Sequence, residues 1–71
     1  MPLKNYHLFL MAAPLKTPSL ARIFTPMPFF IEAATPNEAV RFARIEGQRK
    51  GFYTTYIRAL RVVPPVTHDR M

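Results

Sequence analysis

The chain has no cysteine, only two glycines, four acidic side chains and no long apolar run. Without cysteine there is neither a disulfide framework nor a thiolate zinc site to staple a small fold, and there is no thiol nucleophile. The glycines form no Gly-rich loop of the kind that cradles phosphate. No apolar segment approaches the roughly 20 residues of a membrane-spanning helix. The stretch Tyr6–Ala13 follows Lys4 and ends in Met11-Ala12-Ala13, which has the look of a signal-peptide end. His7 interrupts it and prolines follow it, so a buried strand is expected there instead. The lack of cysteine is compatible with the cytoplasm, and a cytoplasmic location is the expectation.

The shortage of acid is matched by a surplus of base. Ten Lys and Arg against four Asp and Glu give the 71 residues a net charge of +6. That balance suits nucleic acid, an anionic membrane surface or an acidic protein as partner, and it also serves solubility alone. A domain of this size buries only about 60% of its unfolded surface, so its core is thin. Very good packing or self-association has to supply further stability.

What is present is organised around Phe29–Leu60, which reads as strand, capped helix, strand. Thr35-Pro36-Asn37-Glu38 fits a capping box, in which the Thr35 hydroxyl accepts from the Glu38 N–H and the Glu38 carboxylate reaches back to the Thr35 N–H. Pro36 falls on the first helical position, where its missing N–H costs nothing. Arg49 and Lys50 suit the negative end of the helix dipole, and Gly51 suits a left-handed residue just beyond it. The helix is therefore expected at roughly Pro36 to Lys50. Gly47 is discordant, at about 1 kcal/mol against Ala in a helix interior. Either it lets the helix approach the sheet closely, or the helix stops a turn early.

Before this stretch, Tyr6–Ala13 reads as strand β1, Pro14–Ser19 as a loop, and Leu20–Glu32 as strand β2. Pro26 and Pro28 are two apart, so they remove donors from one edge of β2 only. That makes β2 an edge strand closed to further pairing, unless Thr25–Pro28 is a kink between two short strands. Phe52–Val63, β-branched and aromatic, is β3, stopped by Pro64-Pro65. One domain over residues 1–65 is expected, with Val66–Met71 a disordered tail. The order ββαβ, with a right-handed crossover through the helix, predicts an α+β fold. It has a three-stranded mixed sheet in the order β2-β1-β3 and one helix on one face. This shape is half-ferredoxin-like, an analogy that carries no function.

Alternation assigns Tyr6, Leu8, Leu10, Ile23, Met27, Phe29, Ile31, Thr55, Ile57 and Ala59 to the helix side, facing Ala39, Val40, Ala43 and Gly47, with Phe42 at the margin. His7, Phe9, Met11, Phe24, Phe30, Tyr56, Arg58 and Leu60 fall on the opposite face, which is too apolar to be left to solvent. Three covers fit it: a second copy stacked sheet on sheet, single-stranded nucleic acid stacking its bases, or a host or partner protein. The outward side of the helix offers a separate basic surface with Arg41, Arg44, Gln48 and Arg49 around Ile45.

Catalysis finds little support. His7 and His68 are far apart in sequence, Glu38 is committed to the cap, and Glu46 is spaced to pair with Lys50. No carboxylate pair or metal-ligand cluster is evident. A non-enzymatic protein without metal or cofactor is expected. Its binding residues are Tyr56, Arg58, His7 and Phe9 on the sheet, and Arg41, Arg44 and Arg49 on the helix. Its partner is nucleic acid or, as the alternative, a protein, and it acts as a homo-oligomer.

Met11-Ala12-Ala13-Pro14, then Thr25-Pro26-Met27-Pro28-Phe29-Phe30-Ile31-Glu32-Ala33-Ala34-Thr35 and on to Arg61, resembles the small uncharacterised early proteins of filamentous phages of Pseudomonas. The resemblance covers most of the chain. It implies a phage protein in a bacterial cytoplasm, among genes that handle single-stranded DNA or manipulate the host, and it supplies no functional residues.

Overall fold

The computed structural model describes residues 2–64. The expected tail, Val66–Met71, lies outside them. Three strands and one helix follow in the order β1 (Lys4–Pro14), β2 (Thr25–Ala33), α1 (Pro36–Arg49) and β3 (Phe52–Val63), with a short 3-10 turn at Ser19–Ala21. The sheet order is β2-β1-β3. β1 pairs antiparallel with both neighbours. The sheet is thus mixed only in that its outer strands share a direction, and every ladder in it is antiparallel.

The helix begins and ends where its chemistry asks. Thr35 is extended and its hydroxyl accepts from the Glu38 N–H at 3.2 Å. The Glu38 carboxylate reaches one residue further back than expected and accepts from the Ala34 N–H at 2.9 Å. At the other end Gly51 has φ +90° and donates to the Gln48 carbonyl at 3.0 Å. Glu46 and Lys50 pair at 3.5 Å, an exposed i,i+4 pair that contributes only a few tenths of a kcal/mol.

α1 buries Ala39, Ala43 and Gly47, one residue per turn on a single stripe. The large side chains of the core come from the sheet instead: Tyr6, Leu8 and Leu10 of β1 and Phe29 of β2, with Met27, Ile31, Val40 and Leu60 packed around them. Gly47 marks the tightest approach. A Cβ there would lie 2.9 Å from Thr54 Cγ2 and 3.3 Å from Phe29 Cζ. The helix runs on past it, so the glycine serves close packing and not an early stop.

β2 passes through both prolines without a break. Its ladder to β1 is continuous from Lys4↔Ala33 to Ala12↔Thr25. Met11, opposite Pro26, accepts the Thr55 hydroxyl on its carbonyl from the β3 side at 3.2 Å. Met11 thus turns its backbone to β3 and asks nothing of Pro26. The two missing donors fall on the outward edge of β2, and no kink forms.

Two expectations fail, for physical reasons. β2 starts at Thr25 and not at Leu20, because the chain first makes a tight turn after Pro18. The Ala21 N–H donates to the Pro18 carbonyl at 2.8 Å, and the Arg22 side chain donates through Nε to the Thr17 carbonyl at 3.1 Å. Ile23, expected in the core, is consequently exposed. The sidedness of β3 also shifts. β3 carries one extra residue between the pairs Ala12↔Thr54 and Leu10↔Ile57, and another between Leu10↔Ile57 and Phe9↔Ala59. Each bulge inverts the alternation that follows. The two inversions cancel, so Thr54 and Leu60 share the helix side with Ala12 and Leu8, and Ile57 between the bulges joins them out of phase. Thr55 and Ala59, expected there, and Leu60, expected opposite, change places accordingly.

Gly47→Ala should lower the midpoint of urea unfolding by the equivalent of about 1 kcal/mol. Overpacking costs roughly 1–3 kcal/mol and outweighs the gain of up to about 1 kcal/mol in helix propensity. A raised midpoint would show that α1 sits further from β3 than this. Thr35→Ala should cost about 0.5–2 kcal/mol in the same measurement, with Thr35→Asp close to the parent protein.

Candidate nucleic-acid interface

The face of the sheet away from α1 carries an aromatic group on β1 and β2 with an arginine of β3 beside it. Register sets His7 of β1 opposite Phe30 of β2 and Arg61 of β3. The His7 and Phe30 rings stack almost parallel, 4.4 Å between centroids and 3° between planes. Phe9, two residues along β1, meets His7 at 4.9 Å and 52°. A shallow depression of about 200 Å³ lies beside them, lined by His7, Phe9, Ala59, Leu60 and Arg61. Phe30 stays 75% exposed despite its stack, so most of its ring is offered to solvent. The distance between neighbouring strands, about 4.8 Å, sets the spacing of this group.

A second aromatic group sits at the other end of the same face. Tyr53 pairs with Ala13. The Arg22 guanidinium lies 5.1 Å above the Tyr53 ring, and Phe24 approaches that ring at 6.1 Å. Arg22 and Phe24 belong to the connector between β1 and β2, which crosses this end of the sheet. Met11 and Ala13 are buried, although α1 lies on the other side. The connector thus covers part of a face that the sequence reading left wholly open.

The seven expected binding residues fall in three places. His7 and Phe9 belong to the first aromatic group. Tyr56 and Arg58 are the neighbours of Ile57 in the bulged part of β3. Both are exposed, and neither lines the depression beside His7. The cation that register brings to His7 is Arg61. Arg41, Arg44 and Arg49 lie on α1, across the thickness of the sheet. Arg44 is half-buried and donates through Nη1 to the Thr54 carbonyl at 3.4 Å and hydroxyl at 3.5 Å. It ties α1 to β3. Arg41 is exposed, its guanidinium 5.9 Å from the Phe42 ring. Arg49 shares a groove between α1 and β2 with Phe30, Glu32 and Glu46, and the two carboxylates oppose a phosphate there. Arg41 and Arg44 therefore stand apart from the sheet aromatics, and Arg49 meets them only at the β2 margin, beside Phe30 and the two carboxylates.

Alternation puts Phe30 on this face, and it is absent from the seven expected binding residues. Alternation past Pro26 and Pro28 was the signal that could have placed it. Arg61, Arg22 and Tyr53 had no such signal, because two bulges and a 3-10 turn decide where they point. Among the described residues no group of three His, Cys, Asp or Glu side chains gathers that could hold a metal ion, and no helix is long and apolar enough to cross a membrane. Compared with protein-family models, curated proteins and solved structures, the chain matches none.

Arg44→Met should destabilise the fold by about 1 kcal/mol through loss of its hydrogen bonds to Thr54, whereas Arg41→Met should stay within about 0.5 kcal/mol of the parent protein. Equal urea midpoints for the two variants would mean that Arg44 does not anchor β3.

Proposed function

We propose that this chain is a non-enzymatic binding protein that holds single-stranded nucleic acid on the sheet face away from α1. One observation carries the reading. Phe30, stacked on His7 and still largely exposed, lines up across the sheet with Arg61. A base can stack on the aromatic rings while its phosphate meets the guanidinium. Each such stack is worth roughly 1–3 kcal/mol and is indifferent to sequence, because every base has a π-face. A duplex hides those faces, which favours the single strand. The net charge of +6 adds long-range attraction. The likeness of the sequence to early phage proteins is in keeping with such a role in a bacterial cytoplasm.

A second reading, docking on a host or phage protein as a homo-oligomer, is favoured by a different observation. Leu20 is fully exposed and Ile23 nearly so, both on the connector. These are aliphatic side chains with no use for a base.

Fluorescence anisotropy with a labelled oligonucleotide at several salt concentrations separates the two. Log affinity should fall against log salt with a slope of about −0.7 per phosphate neutralised. Phe30→Ala should weaken single-strand binding roughly five- to hundredfold, the worth of one stack, and duplex binding much less. Arg61→Ala should matter more than Arg58→Ala. Failure of the folded protein to bind any oligonucleotide at low salt would overturn this function and leave the protein-docking reading in its place.

A further inference from the structure

We infer that the ligand of this face is a single strand of about six nucleotides that bridges two aromatic–cation clusters, His7–Phe30–Arg61 at one end and Tyr53–Phe24–Arg22 at the other. The inference rests on the single-strand reading above and fixes the size of the ligand.

The two clusters lie along one direction. β1 runs straight between them, with an unbroken ladder to β2. His7 marks one cluster and Ala13, the partner of Tyr53, marks the other. Six residues at about 3.3 Å each separate them by about 20 Å. A stacked strand advances 3.4 Å per nucleotide, so about six nucleotides cover the interval. A mononucleotide or a trimer can occupy one cluster and not both.

The ground between the clusters is suited to a strand. β2 places Phe30, Pro28 and Pro26 on this face, in register with His7, Phe9 and Met11, and Phe24 continues the row beyond the strand. The row has flat aromatic rings at His7, Phe9, Phe30 and Phe24, with the compact apolar rings of Pro26 and Pro28 between them, and asks no specific hydrogen bond of a base. Charge is favourable too. Each cluster has an arginine, Arg61 or Arg22. Among the described residues the acidic side chain of this face is Glu32, in register with Asn5 beyond His7, and it lines one groove with Phe30 at the β2 margin. Glu38 belongs to α1, on the other side of the sheet, and Glu46 of α1 reaches the β2 margin beside Phe30, outside the interval between the clusters. Arg22 is also held in place, since its Nε donates to the Thr17 carbonyl while its guanidinium covers Tyr53. A guanidinium fixed over an aromatic ring in this way offers its N–H groups to a phosphate and its outer plane to a base.

The test is the length dependence of binding, read by competition of unlabelled thymidylate oligonucleotides of three, six and ten nucleotides against a labelled ten-mer. Affinity should rise at least tenfold from three to six nucleotides and only about twofold from six to ten. Tyr53→Ala and Phe30→Ala should each weaken the six-mer roughly five- to hundredfold. For the three-mer each should cost no more than about twofold, since one of two alternative seats remains. Arg22→Gln leaves the sheet itself untouched and should weaken the six-mer while reducing the salt slope by about 0.7, one phosphate on a single strand. Circular dichroism and thermal melting establish that each variant is folded. Equal affinity for three and six nucleotides overturns the inference. So does a six-mer affinity that falls with Phe30→Ala but is unchanged by both Tyr53→Ala and Arg22→Gln, and in that case the first cluster alone remains the binding site. Absence of binding at every length instead overturns the single-strand reading together with the inference built on it.

Discussion

The close seat of α1 on the sheet, at Ala39, Ala43 and Gly47, governs where the other large side chains go. A helix that presents only small residues lets the sheet come up to its backbone, and the interior must then be filled from the sheet side. Tyr6, Leu8, Leu10 and Phe29 do this. Fully burying each contributes about 1.5–3 kcal/mol. The bulky apolar residues of α1, Phe42 and Ile45, have no room beneath the helix and remain at its flanks, exposed. Thr54 is drawn into the same contact, wedged near Gly47 and held by Arg44. One seam thus fixes the position of β3 relative to the helix. It also takes Arg44 out of the basic surface that its sequence neighbours suggest.

Local chemistry made the helix and the sheet order legible. The capping group at Thr35, the proline at the first helical position and the left-handed Gly51 are short-range signals that need no tertiary context. The centrality of β1 followed from its apolar character, and the edge position of β2 from Pro26 and Pro28. The side of β3 was legible at Ile57 and not on either side of it. Periodicity presumes that each residue advances the strand by one step, and β3 adds two residues that β1 does not match. Bulges carry no dependable sequence mark when, as here, no glycine stands in them. The two bulges cancel, so Leu60 keeps the side of Thr54 and Arg61 that of Tyr53, and alternation anchored on Ile57 puts both on the wrong face.

The candidate site was legible in proportion to the regularity of the strand carrying it. His7, Phe9 and Phe30 belong to the straight β1–β2 ladder, and alternation alone brings them together. Arg22 and Phe24 reach the sheet through a turn that Pro18 and Ser19 organise and that the Arg22–Thr17 hydrogen bond closes. A run of Leu, Ala, Ile and Phe looks like the beginning of a strand, and β propensity is a weak guide against a turn of that kind. The basic helix, by contrast, was easy to see and misleading. Three arginines of like charge on one element suggested one surface, and the structure divides them among an anchor, an aromatic neighbour and a groove that also holds Glu32 and Glu46.

The bulges in β3 have a bearing on how wide this sheet can become. A three-stranded sheet has two free margins, and each can recruit a further strand from another molecule if it offers a straight run of donors and acceptors. Neither margin here does so. β2 is missing the N–H groups of Pro26 and Pro28. β3 has no proline within its twelve residues, but it is thrown out of line on either side of Ile57, with Tyr56 and Arg58 standing out from it. Lateral growth is thus discouraged by imino acids along one margin and by surplus residues along the other. A molecule closed at its margins leaves its broad sides as the surfaces free for contact, and for this chain one of them is lined with rings.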